Sequence, residues 1–526
     1  MTAADDRVAR DDLRAEWRAA GMYPDLTVGQ AITAGGVAHG GDRIVFAQVE
    51  GETVAVTLAE LVERAETCAQ RLSGVGVSAG DSVIVQAPAD LSGTEVLAGV
   101  WLLGAVAVPI AMTASAREVA HAVRQTGAAC AVVAPEWRGR DLVTPLVTLG
   151  LPRVVVLGDQ GVAGAITLSN IKPKPVPQVQ RAHPSSLACV LYTSGSTADP
   201  KGVQHSHETL LSGLTAVPAD ASSRMLGTFP AGHVAALLGL LRPLIAGGTT
   251  VVMDRWSARA AALLIEEHRI TASAGTPFFL STLLDEAERS GRDISSLERF
   301  LCGAAAVPPE LVARSEAAGI VTWRTYGSTE HPAISSGGPA DPPDKRRQTD
   351  GRVTPGNEVR LLDEGGNQVA PGEEGEIVAR GPKQFLGYQD PAADAGAFVD
   401  ATWFRTGDLG RFDDDGYLVV TDRVKDIIIR GGENVSAREV EEVLSRVPGL
   451  AEVAVCAAPD ELWGEAVCAV VVPRNGAAAP TVQELQEMAL SSGLADHKLP
   501  TKVVVTEALP RTAAGKVRTR DLRSLL

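Results

Sequence analysis

The stretch YTSGSTADPKGV, from Tyr192 to Val203, gathers hydroxyl side chains, two glycines and one lysine into a short loop. Those are the groups that can surround phosphate oxygens: backbone N–H donors left accessible by glycine, hydroxyl donors and an ammonium. The loop departs from the Walker pattern, which ends in Gly-Lys-Ser/Thr so that a hydroxyl meets magnesium. Here Lys201 stands between Pro200 and Gly202, which argues against an ordinary ATPase. From this stretch alone two readings stay open, an anion cradle and an exposed Ser/Gly loop. The apolar run LACVLY, Leu187 to Tyr192, reads as a short buried strand leading into the loop, and a helical pattern begins near Ser206.

Stepping outward, the chain has 526 residues, 45% hydrophobic and 21% charged, enough for a large core and several units. A formal charge of −16 and a pI near 5.1 argue against general nucleic-acid binding. The N-terminal DDRVARDDLRAEWRAAG is a charged helical pattern rather than a signal sequence, so a cytoplasmic protein is expected. Six cysteines without CxxC spacing read as buried free thiols. VLAGVWLLGAVAVPIAMTA, Val96 to Ala114, is apolar enough to raise a membrane span. Gly104 and Pro109 divide it more naturally into a buried helix and a short strand.

From about Asp81 to Thr276, strand patterns such as SVIVQAP, ACAVVAP, RVVVLGD, TTVVMD and TASAGTP alternate with helical stretches such as SAREVAHAVRQTG and SARAAALLIEEH. That alternation implies an α/β chain whose parallel sheets are covered by helices. After about Asp350, short strands joined by Gly- and Asp-rich turns suggest a small β-rich, barrel-like subdomain. The last hundred or so residues read as a separate α+β domain, with capping-box patterns at Ser436/Glu439 and Thr481/Glu484.

Five stretches then occur in order: YTSGSTADPKGV, TYGSTEHP (Thr325–Pro332), WFRTGDLG (Trp403–Gly410), DRVKDIIIRGGENVSAREVE (Asp422–Glu441) and PRTAAGKVRTRDL (Pro510–Leu522). Together they resemble the adenylate-forming superfamily of acyl-CoA ligases, adenylation domains and luciferases, over nearly the whole chain. The resemblance implies a large N-terminal adenylation domain (1–422), a hinge (423–425) and a small mobile C-terminal domain (426–526). It implies two steps: a carboxylate attacks the α-phosphate of MgATP to give acyl-adenylate and pyrophosphate, and a thiol then displaces AMP.

By the same resemblance, Lys516 is the catalytic lysine of adenylation, where its plain alternative is a solvated tail lysine. Thr329 and Glu330 take the phosphate-binding and magnesium-organising roles, Tyr326 stacks on adenine and Gly327 belongs to the same turn. Asp408 holds the ribose hydroxyls, as a carboxylate with two acceptor oxygens can, and Arg423 donates to the same ribose. Gly303, Ala304 and Ala305 line the adenine slot. Thr193, Ser194, Gly195, Ser196, Thr197 and Lys201 cradle the phosphates that leave. Ala198 stands where the family usually has glycine, and the loop is expected to be stiffer for it. Lys425 falls at the hinge. Gly431 and Gly432 form the narrow passage for a pantetheine thiol.

The segment FPAGHVAALLGLLRPLIAGG, Phe229 to Gly248, falls where the family shapes its acyl pocket, with Gly232, His233, Val234 and Ala236 as lining residues. No aspartate lies between Phe229 and Pro243 to meet a substrate ammonium. His233 read by itself could equally be a packed core histidine. The expectation is a bulky hydrophobic carboxylic acid, with ATP, Mg2+ and coenzyme A as co-reactants. A carrier protein bearing the same pantetheine arm stands as the alternative acceptor, and a nucleotide-binding protein that has lost catalysis as the remote one.

Overall fold

The computed structural model describes residues 3–159, 161–176, 182–193, 200–214, 223–229, 231–424, 426–430, 433–460, 463–474 and 476–526. Two large sheets fill the first part. One contains, in spatial order, Val321–Tyr326, Arg299–Gly303, Ala272–Gly275, Arg224–Gly227, Thr249–Met253 and Arg43–Ala47, all parallel. The other runs parallel through Leu187–Thr193, Val106–Pro109, Ser82–Gln86, Cys130–Val133 and Val154–Val156. The short Val/Ala/Cys strands of this second sheet are buried on both faces, as helix-covered parallel strands must be.

The apolar run from Val96 divides as its sequence suggested. Helix Leu91–Leu103 is capped by Gly104 in the left-handed conformation, φ 78°, and strand Val106–Pro109 follows. Among the described residues no helix is long and apolar enough to cross a membrane. All six cysteines are free and buried.

Beside the phosphate-type loop the helix starts where the sequence suggested, next to Ser206, and the structure adds a strand before it. Strand Leu187–Thr193 is followed by a second strand, Lys201–Ser206, antiparallel to it with Thr193 opposite Lys201, and the helix His207–Leu214 starts only afterwards. The described residues on either side of the loop are therefore paired with each other across two antiparallel strands. KGVQHS lacks an alternating apolar pattern because both of its edges are paired, one with Leu187–Thr193 and the other with Gly387–Tyr388.

A third, antiparallel sheet holds Glu358–Leu362, Gly375–Arg380, Trp403–Phe412 and Leu418–Arg423. From Ile427 onward the strands pair only with one another among the described residues. That last sheet contains Leu450–Asp460, Gly464–Pro473 and Lys502–Val505, under helices Ala437–Leu444 and Val482–Ser491. Thr481 and Glu484 form a complete capping box. Ser436 caps its helix by accepting from the Glu439 amide while its hydroxyl is also bonded to Asp422.

The charged helix Ala3–Ala19 uses its arginines as anchors. Arg10, 2% exposed, pairs with Asp394 at 2.8 Å, reaches the Ala401 carbonyl and lies over the Phe398 ring. Arg14 donates to the Phe385 carbonyl at 3.0 Å, and Arg18 grips the buried Glu208 through two bonds. Asp394 also receives the amide of Tyr388, so the helix clamps the segment that delivers this tyrosine. Arg10→Met is expected to destabilise the protein by about 3 kcal/mol, because it strands a buried carboxylate; the midpoint of thermal unfolding checks it.

Candidate active site

The parallel strands Arg299–Gly303 and Val321–Tyr326 end side by side, with Gly303 opposite Thr325. A Cβ on Gly303 would come 2.7 Å from the Thr325 carbonyl oxygen, so only glycine fits this approach. Ala304 turns left-handed at φ 64°, a conformation that costs a non-glycine residue on the order of 1 kcal/mol or more. Chain edges at the carboxyl ends of parallel strands are where α/β sheets place ligands. Thus the slot assigned to Gly303, Ala304 and Ala305 lies against the TYGSTE turn. Gly327 is needed there as well, since a Cβ would meet the Ala333 amide at 2.5 Å.

Tyr326 donates its hydroxyl to Asp408 Oδ2 at 2.7 Å, and Arg423 Nε donates to Asp408 Oδ1 at 3.0 Å. Asp408 and Arg423 face each other across the antiparallel pair Trp403–Phe412 and Leu418–Arg423. Burial, followed by the Asp408 charge, pushes the Tyr326 phenol far above its ordinary value, so it stays a donor. The same carboxylate raises Arg423. Three residues singled out separately in the sequence are thereby joined in one bonded group.

Thr329 and Glu330 are tied into place by residues the sequence did not flag. His205, on the strand that begins at Lys201, is fully buried and its Nε2–H donates to the Thr329 carbonyl at 2.8 Å. Burial pushes its pKa down to about 4, which keeps the ring neutral. Tyr388 donates to Glu330 Oε1 at 2.8 Å, and the Phe385 amide donates to the Glu330 carbonyl. Lys201 Nζ lies 4.6 Å from the centroid of the Tyr388 ring. A further buried cation, Lys383, donates to Thr354 Oγ1 at 2.7 Å and is pushed down to about 8 by desolvation. His205, Tyr388 and Lys383 did not stand out in sequence, because each acts through a partner distant along the chain.

Lys516 sits in a tight turn in which its amide bonds Thr512 Oγ1 and its carbonyl accepts from the Thr512 amide. Although it belongs to the last sheet's neighbourhood, its ammonium is felt by residues of the first part. Burial pushes its pKa down to about 8; Arg423 lowers it further, while Asp408 and Glu330 oppose that shift. His233 in turn feels Lys516, after desolvation, and is pushed down to about 3. The structure therefore brings Lys516, Asp408, Arg423, Glu330 and His233 to one place.

His233 is the N-cap of helix Val234–Ala246, its Nδ1 accepting the Ala235 amide at 3.1 Å, and its ring stacks on Phe229 at 5.5 Å. Gly232 precedes it at φ 90°, where a Cβ would approach the Ala111 amide to 2.6 Å. Val234 is buried and Ala236 half-buried on this helix. Phe279 lies 6.1 Å from Phe229 and stacks with Trp256 at 4.4 Å, so the neighbourhood is aromatic. Ser194, Gly195, Ser196, Thr197 and Ala198, the hinge position Lys425, and Gly431 and Gly432 lie outside the described residues.

Comparison with known proteins agrees with this geometry. The family described as AMP-binding enzyme matches residues 36–389, and the AMP-binding enzyme C-terminal domain matches 439–516. The chain is 32% identical over 493 residues to the medium-chain fatty-acid–CoA ligase of Escherichia coli strain K12, covering 91% of this chain and 87% of that ligase. It is 33% identical over 510 residues to a feruloyl-CoA synthase of an Amycolatopsis species, covering 96% and 98%. Among solved structures, the amide bond synthetase McbA from Marinactinospora thermotolerans superposes with a TM-score of 0.82 at 29% identity, over 94% of this chain and 99% of that one. The chain belongs to the AMP-binding enzyme family, and is a ligase of the adenylate-forming superfamily.

Proposed function

We propose that this protein activates a bulky hydrophobic carboxylic acid with ATP and passes the acyl group to coenzyme A. The observation that carries the reading is the convergence of Lys516 with Asp408, Arg423, Glu330 and His233. A carboxylate approaching a triphosphate meets like charge, and two such charges near 4 Å repel by about 4 kcal/mol at an effective dielectric of about 20. Lys516 answers that repulsion by bridging the carboxylate and the α-phosphate. A carboxylate oxygen bonds to the α-phosphorus, the bond to the β-phosphate bridging oxygen breaks, and pyrophosphate leaves. In the second step the thiol loses its proton, sulfur bonds to the acyl carbon, and the carbon–oxygen bond to AMP breaks.

The other residues take the roles that the resemblance to the family implies. Asp408 and Arg423 bind the ribose, and Tyr326 and the Gly303–Ala305 edge flank the base. Thr193, Ser194, Gly195, Ser196, Thr197, Lys201 and Thr329 receive the departing phosphates. Glu330, oriented by Tyr388, would hold magnesium. No group of three or more His, Cys, Asp or Glu among the described residues forms a metal cage, and magnesium bound with phosphates needs only one or two carboxylates. Magnesium there supplies positive charge to the phosphate oxygens. Lys425 serves as the hinge that withdraws Lys516, and Gly431 with Gly432 admits the pantetheine arm.

The aromatic group of Phe229, His233, Phe279 and Trp256, beside the small Ala231, Ala235 and Ala236, favours an aryl or alicyclic acid over a charged one. Mass spectrometry of reactions with MgATP and octanoate, ferulate, indole-3-acetate or a polycyclic acid, with and without coenzyme A, tests both substrate and acceptor. Acyl-CoA from the aryl or polycyclic acids is expected. Preference for octanoate would overturn the bulky-acid reading, and acyl-adenylate that accumulates with coenzyme A present would point to a carrier protein.

Lys516→Ala is expected to lower acid-dependent pyrophosphate release by at least about a hundredfold while sparing thioester formation from supplied acyl-adenylate. Equal loss of both half-reactions would remove the assigned role. The depressed pKa of Lys516, about 8, adds a pH signature. The free enzyme loses the bridging cation as pH rises through that value, so kcat/KM for adenylation should fall on the alkaline side. Thioester transfer from supplied adenylate should not fall with it.

A further inference from the structure

The turn that carries Lys516 meets the larger part of the chain through one aromatic ring. Arg511 opens the turn, and its guanidinium carbon lies 4.7 Å from the centroid of Phe278. The same guanidinium donates through Nη1 to the Gly515 carbonyl at 2.6 Å, one residue before the lysine, and through Nη2 to Glu452 on strand Leu450–Asp460. Gly515 itself, at φ 79°, lies so close to the ring that a Cβ would come 2.7 Å from Phe278 Cδ1. Phe278 stands in the first turn of helix Pro277–Ser290, directly before the fully buried Phe279 of the aromatic group. It is therefore held by a rigid element on one side of the junction while touching two residues of the lysine turn on the other.

We propose that Phe278 is a positioning residue for adenylation: its ring is the seat on which the Arg511–Gly515 face docks, fixing Lys516 in the site. The proposal rests on the reading of Lys516 as the adenylation lysine. A guanidinium over an aromatic face is attracted by the ring quadrupole, more strongly where water is displaced, and an aliphatic side chain of similar size cannot replace that term. The ion pair Arg446–Glu310, elsewhere at the junction, spans 3.2 Å with side chains 56% and 58% exposed, and such pairs hold little. Ser436 and Arg438 meet Asp422 and Val420 close to the hinge positions, where they have less leverage over the lysine turn. Withdrawing Lys516 for the thiol step must break the Arg511–Phe278 contact. Its strength accordingly biases the two arrangements in opposite senses, as any contact made in only one of two states does.

The test compares half-reactions, using the panel acid that the unaltered protein turns over. Phe278→Leu keeps apolar bulk but removes the ring face, and it should lower acid-dependent pyrophosphate release by about tenfold while leaving thioester formation from supplied acyl-adenylate undiminished. Phe278→Trp, which retains an aromatic face, should stay near the unaltered rate. Arg511→Met should reproduce the loss from the other partner, and the double variant should be no slower than the worse single one, because the two changes remove the same contact. Equal decline of both half-reactions, unchanged adenylation in Phe278→Leu, or additive losses in the double variant would each overturn the proposal. Lys516→Ala separates the two readings. Loss of adenylation there together with full adenylation in Phe278→Leu would leave the lysine assignment standing and sink the docking role; retained adenylation in Lys516→Ala would sink the lysine assignment itself.

Discussion

A positive charge held partly out of water is the constraint on which the proposed chemistry depends. Desolvation opposes the charged form of Lys516, and the pKa near 8 records that opposition. Asp408 and Glu330 offset part of it, and both belong to the larger part of the chain. The lysine is thus matched to the site electrostatically without being covalently part of the same sheet. Lys516 lies in a turn after Pro510, outside the two large sheets, and the proposed two-step reaction requires that separateness, because a lysine built into one of those sheets could meet the same carboxylates but could not leave.

The large sheets supply the fixed frame against which Lys516 is set. Gly303 and Thr325 approach so closely that the slot between strand ends has no room to relax. The Tyr326–Asp408–Arg423 group links the parallel sheet to the antiparallel one. Tyr388 reaches Glu330 from a segment that the N-terminal helix clamps through Arg10, Arg14 and Asp394. A helix that looks from its sequence like a solvated charged face therefore orders a side chain at the candidate site. Arg10 and Arg14 are buried at the cost of desolvation, which Asp394 and the Phe385 and Ala401 carbonyls offset.

Much of this was legible in the sequence where the signal is local. Strands such as Cys130–Val133 and Thr249–Met253 and the helix Ala116–Thr126 announce themselves by apolar runs, period and caps. The ordered motifs single out Lys516, Asp408, Glu330 and Tyr326 through the family resemblance they carry, and the structure joins Tyr326 to Asp408 by a hydrogen bond. What escaped was non-local. Lys201–Ser206 has no strand pattern of its own, since His205 and Ser206 are buried and satisfied by partners specific to this fold, although the helix after it starts at His207, beside the Ser206 position that the sequence suggested. Tyr388, His205 and Phe278 look like ordinary core residues until the chain brings Glu330, Thr329 and Arg511 against them.

His233 shows why the lysine must carry the charge alone at the acyl end. Its Nδ1 accepts the Ala235 amide, which assigns the ring proton to Nε2, and burial keeps the ring neutral at any physiological pH. A neutral imidazole stacked on Phe229 can shape the pocket and donate one hydrogen bond without adding positive charge. A protonated histidine there would repel Lys516, the very interaction that lowers its pKa further. Under the proposed two-step reaction it would also remain an unpaired buried cation once the lysine withdrew and the carboxylate had become an uncharged acyl group. Fixing the histidine as a neutral helix cap avoids that conflict, and leaves Lys516 to supply the positive charge that the proposed first step needs.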